Sequence, residues 1–124
     1  AALDRTAGQP DAKLLGHLTA LLQEARAKGV QVMLFMPPLI PELDVRLTAS
    51  AHSGAKLRRT KAVLEAWAKQ QQVVLLDAGP SERYGCVATE FIDAHHALPA
   101  CYRKIMARLF ATRSIHDQNP QSPP

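Results

Sequence analysis

An apolar run that stops on two prolines limits this chain more than any other feature. Val30-Gln31-Val32-Met33-Leu34-Phe35-Met36 meets Pro37-Pro38, and Val73-Val74-Leu75-Leu76-Asp77 is followed by Gly79-Pro80. Short, nearly continuous apolar runs with hard stops suit strands covered on both faces, as in a parallel sheet. Between them Leu57, Leu64, Trp67 and Ala68 share a helical face, with Lys56, Arg58, Arg59 and Lys61 largely on the others. Strand, crossover helix and strand form a βαβ unit, expected to be right-handed with parallel strands.

Two further helices flank this unit. Asp11 is the expected N-cap of a helix carrying Leu14, Leu15, Leu18, Leu21, Leu22 and Ala25, which Lys28 and Gly29 close. Pro99 suits the first turn of a last helix bearing Tyr102, Ile105, Met106, Leu109 and Phe110. From Pro37 to about Ala55 the pattern reads as a long irregular connection, the kind that is often functional. Residues 1–10 read as a flexible leader, 11–113 as one α/β domain and 114–124 as a disordered tail. Two strands make a poor sheet. The reading therefore expects a hidden strand around Ala88 to Ile92, or a sheet that continues in sequence not present here.

Composition excludes several classes. The hydrophobic fraction of 47% and charged fraction of 21% are those of a globular protein, and the formal charge of +4 falls short of a dense basic stripe. Lys56, Arg58, Arg59 and Lys61, like Arg103, Lys104, Arg108 and Arg113, lack interleaved aromatics for base stacking, so no nucleic-acid partner is expected. The best apolar run is far short of the roughly 20 residues that a membrane span needs, so no integral membrane segment is expected. The chain starts without Met or a signal-peptide pattern and reads as a processed or excised start. Cys86 and Cys101 exclude a disulfide-dense scaffold and a four-cysteine zinc site, and leave open one bridge or two free thiols.

Ligands of open α/β sheets bind beyond the carboxyl ends of the strands. Three segments should reach that edge: Pro37-Pro38, Asp77-Ala78-Gly79, and Glu90-Phe91-Ile92-Asp93-Ala94-His95-His96. In the third, a carboxylate and an imidazole lie three residues apart just before a helix. Such a carboxylate can take one ring N–H and leave the other nitrogen as a general base. Asp93 and His96 are therefore the candidate catalytic residues. The bland alternative is a capping carboxylate beside a surface histidine. His95-His96 with Asp93 or Glu90 could also ligate a metal. Adjacent histidines in a loop rarely converge on one ion, however, so no metal or cofactor is expected.

Asp93-Ala94-His95-His96-Ala97-Leu98-Pro99-Ala100-Cys101-Tyr102-Arg103 resembles the last block of SGNH (GDSL-like) hydrolases, an Asp-x-x-His, a short turn, a small residue and Tyr, then an amphipathic helix. "VQVMLFMPP" and "VVLLDA" are similar to strands of the same enzymes, and "EFIDAHH" resembles cell-envelope members. The likeness covers roughly residues 14–111. It implies the C-terminal part of a flavodoxin-like, three-layer αβα fold with a parallel sheet. The implied parent hydrolyses or transfers acyl esters of an envelope polymer or carbohydrate, with His96 as base and Asp93 orienting it. A periplasmic or exported setting follows from the likeness, and from a Cys86–Cys101 bridge if one forms, with a cytoplasmic one as the alternative.

The departures from that pattern are specific. Cys101 stands at a usual glycine position, and the Gly-Asp-Ser block, the later Gly and the later Asn are missing. The only Asn is Asn119, and Ser50, Ser53, Ser81, Ser114 and Ser122 have no strand-to-helix elbow. Ser53, in Ala51-His52-Ser53-Gly54, is the nearest imitation. The isolated chain is expected to be inactive, its Ser supplied by the parent. The alternative is a non-enzymatic interaction domain that docks a partner protein or envelope polymer, or self-associates through an exposed sheet edge.

Overall fold

A computed structural model describes residues 10–117. Its elements are α1 (Ala12–Ala27), β1 (Met33–Met36), α2 (Pro41–Ala49), α3 (Ala51–Gln71), β2 (Val74–Asp77), β3 (Phe91–Asp93), β4 (His96–Ala97) and α4 (Pro99–Asp117). Short 3-10 turns at Ser81–Tyr84 and Ala88–Glu90 precede β3. The chain is a helix-rich mixed α/β protein, and no helix among the described residues is long and apolar enough to cross a membrane. The described residues form two compact units, 10–32 with 47–73, and 33–46 with 74–117.

The first unit holds α1 and α3. Asp11 caps α1 by accepting from the Lys13 N–H at 2.7 Å, and Gly29 follows the helix at φ 72°. Trp67, buried on α3, donates its indole N–H to Thr19 Oγ1 of α1 at 3.0 Å. Arg26, in the last turn of α1, donates to the carbonyls of Gln71 and Gln72 at 2.6 and 2.9 Å. A cation thus meets the negative end of α3, where carbonyls otherwise lack partners.

The connection expected to be irregular from Pro37 to Ala55 is instead helical over most of its length. Pro41 begins α2, where its missing N–H costs nothing, and Ser50 caps α3 by accepting from the Ser53 N–H at 3.2 Å. Gly54 does not break α3. A Cβ there would lie 2.7 Å from the Thr48 carbonyl oxygen and 2.9 Å from that of Leu47, so the glycine admits a close backbone approach.

In the second unit β1 and β2 pair in parallel, Met33 opposite Val74 through Met36 opposite Asp77. The strands are shorter than the apolar runs, and every residue in them is half-buried rather than buried. Pairing continues past the strand ends, where the Leu39 N–H donates to Gly79 O at 3.1 Å. Tyr84 OH donates to Asp77 O at 2.7 Å; burial first, then the Asp77 charge, raises its pKa and keeps it a donor. Of the strand expected around Ala88 to Ile92, Ala88–Glu90 is a 3-10 turn, and β3, which begins at Phe91, pairs antiparallel with β4 and not with the parallel sheet.

Cys86 and Cys101 are bridged. They lie with Ala78, Phe91 and Ile105 in the core of this unit, Cys101 and Ile105 without exposed surface. Burying an isoleucine side chain contributes about 1.5–3 kcal/mol, so Ile105 and its disulfide neighbours anchor α4. The helix continues through Asp117, past the start expected for the tail, since no Pro or Gly interrupts it before Asn119-Pro120. Residues 1–9 of the leader and 118–124 of the tail lie outside the described residues.

The bridge closes a loop with a sequence separation of 15. Its loss is expected to cost about 3 kcal/mol of stability by the loop-entropy relation. Thermal unfolding with and without reductant should show the drop, and thiol titration of the native protein should find none. Two reactive thiols in the native protein would contradict this structure.

Candidate functional site

The three segments expected at the carboxyl edge of the strands do meet. The Ile40 N–H, after β1, donates to Ala94 O at 2.8 Å, and Ser81 Oγ, after β2, donates to Leu39 O. These bonds fix the Ala94 turn beside the ends of the parallel strands.

Asp93 and His96 face each other as the pair that flanks the two-residue turn Ala94-His95. Two-residue hairpin turns usually need positive φ, which favours Gly or Asn. Here neither turn residue has it, Gln72 being the only such non-glycine residue among those described. The Asp93 side chain holds the turn instead, its Oδ1 accepting from the N–H groups of His95 and His96, both at 3.0 Å. His96 Nδ1 lies 2.7 Å from Asp93 Oδ2 and 2.8 Å from Oδ1. The backbone bond from His95, then the His96 ring, holds the Asp93 carboxyl below its ordinary range. An ionised carboxylate can only accept, so Nδ1 carries a proton, and in the neutral ring Nε2 is the nitrogen with the free lone pair.

Lys104 of α4 steadies the segment from the other side. It donates to Gly85 O at 2.8 Å and to Glu90 Oε1 at 2.6 Å, and that hydrogen bond is the largest cause holding the Glu90 carboxyl below its usual range. The Leu98 N–H donates to Glu90 O at 2.7 Å, which closes the hairpin onto the start of α4. Glu90 and Lys104 are 14 residues apart and carry no joint sequence signal.

The other candidates separate from this site or change character. Ser81 is fully buried with its hydroxyl committed to Leu39 O, and Ser53 lies in the first turn of α3. His52 is exposed on α3 and His17 exposed on α1. His95 places its ring 4.2 Å from that of His96, at 43°. One ligand atom each from Asp93, His95 and His96 falls within 4.8 Å of the others.

The site thus defines an α/β unit with an exposed Asp-His pair at the carboxyl end of a parallel strand pair. The chain belongs to the DUF1574 family, described as proteins of unknown function, whose family model matches residues 7–112. No curated protein and no solved structure matches the chain.

The Asp93 carboxylate supports the turn above the ordinary aspartate pKa, and that support is lost as pH falls through the lower folded value. A carboxyl-carbon NMR titration should place Asp93 below the ordinary aspartate value of 3.8. Titration at or above that value would mean that the three hydrogen bonds are not made.

Proposed function

We propose that this chain is the Asp-His-bearing part of an SGNH-like, three-layer αβα protein that hydrolyses or transfers acyl esters of a carbohydrate or envelope polymer. The single observation that carries the reading is the 2.7 Å contact of His96 Nδ1 with an Asp93 carboxylate that two backbone N–H groups already orient. The two backbone bonds are those of a cap that holds the turn, and the third, to the His96 ring, is the one that a surface histidine beside a cap does not need. The place of the pair, past the ends of two parallel strands, adds support.

In this reading a serine of the parent protein attacks the ester carbonyl as His96 Nε2 takes its hydroxyl proton. The imidazolium, held by Asp93, then returns that proton to the departing alcohol, and water or an acceptor hydroxyl repeats the cycle on the acyl-serine. The serine and the donors to the oxyanion come from outside this sequence. The Cys86–Cys101 bridge supports an oxidising, periplasmic or exported setting.

A second reading is favoured by Met33, Leu34, Phe35 and Met36 with Val74, Leu75 and Leu76, all half-buried in sequences suited to a covered sheet. It makes the chain an interaction domain whose strands another polypeptide completes.

Hydrolysis of p-nitrophenyl acetate and acetylated oligosaccharides distinguishes the two. The isolated chain should show no turnover. The product of the whole reading frame should turn over ester, and His96→Ala should reduce that by about a thousandfold or more. Turnover indifferent to His96→Ala, or none from the whole product, would sink the hydrolase reading and leave the interaction domain.

A further inference from the structure

The Asp93 turn presents more donors than a catalytic dyad uses. His95 makes no contribution to the acyl-transfer reading, yet its Nδ1 lies 3.7 Å from Asp93 Oδ1 while His96 Nδ1 lies 2.7 Å from Oδ2. We propose that Asp93, His95 and His96 form a three-ligand site for Zn2+ or a similar borderline divalent cation.

The spacing fits such an ion. Ligands around tetrahedral zinc, with bonds of about 2.0–2.2 Å, stand about 3.3 Å apart. The separations of 3.7 Å to Oδ1 and 2.7 Å to Oδ2 bracket that value, and one ligand atom from each residue lies within 4.8 Å of the others, so rotation of the two rings has to close the site. The bonds from the His95 and His96 N–H groups already hold the Asp93 carboxylate beside the two rings. All three side chains are about half or more exposed, at 49% for Asp93, 64% for His95 and 62% for His96. A hydrated ion can reach them, and water can fill the remaining coordination position. Two imidazoles and one carboxylate suit zinc, nickel or copper, whereas magnesium asks for an all-oxygen shell to which the side chains of this site contribute only the Asp93 carboxylate.

Coordination has a consequence at His96. A neutral imidazole that ligates through Nδ1 must carry its proton on Nε2, so the tautomer changes without net proton release. The Asp93–His96 hydrogen bond and metal coordination at the same nitrogen exclude each other. Zinc bound here removes the lone pair that a general base would use. Zinc binding itself does not depend on the acyl-transfer reading, and it can be measured without any ester.

Isothermal titration of the untagged chain with zinc chloride and with magnesium chloride tests the site. Wild type and His52→Ala should bind one zinc per chain, His95→Ala and His96→Ala should bind it at least about tenfold more weakly, and magnesium should give no saturable heat. Histidine-ring NMR of the wild type should show zinc-dependent shifts at His95 and His96. Absence of one-to-one zinc binding, unchanged affinity in His95→Ala, loss of binding in His52→Ala, comparable magnesium binding, or shifts confined to other histidines would overturn the proposal.

Discussion

The disulfide between Cys86 and Cys101 holds the second unit together. It ties the start of the segment that carries Asp93 and His96 to the first turns of α4, among Ala78, Phe91 and Ile105. A loop clamped at both ends has few conformations to lose, so a two-residue turn without glycine can persist within it. Lys104 adds a second tie from α4, and the Ile40 N–H a third from the end of β1. The exposed pair is therefore held mainly by what lies beneath and beside it. Its own side chains contribute the last three hydrogen bonds.

The sequence made some of this legible and hid the rest for identifiable reasons. Asp11, Lys28 and Gly29 marked α1 because capping depends on local chemistry, and the proline and glycine stops marked β1 and β2. The parallel pairing followed from the crossover. The connection from Pro37 to Ala55 was misread because Pro41 and Gly54 look like breakers, whereas one starts α2 and the other admits a close approach inside α3. Trp67 was legible only as part of a helical face, since its partner Thr19 on α1 is 48 residues away. The Asp93-x-x-His96 spacing indicated a shared loop. That His95 would fold back beside His96 depends on turn geometry that spacing does not encode.

The half-buried β1 and β2 remain the clearest mismatch between sequence and environment. Residues suited to a sheet covered on both faces stand in a two-stranded pair among the described residues. Under either proposed function something else completes that sheet, the serine-bearing part of a parent enzyme or a separate partner. The Asp93 turn likewise permits two chemistries, proton transfer through Nε2 or metal ligation through Nδ1. The two differ in which ring nitrogen of His96 carries the proton.

The position of that proton tests the central claim most directly. Long-range proton–nitrogen NMR of the histidine rings, at neutral pH and without divalent metal, reports the tautomer of His96. A proton on Nδ1 with Nε2 bare is the result predicted by an oriented Asp93–His96 pair. A proton on Nε2 with Nδ1 bare would contradict it.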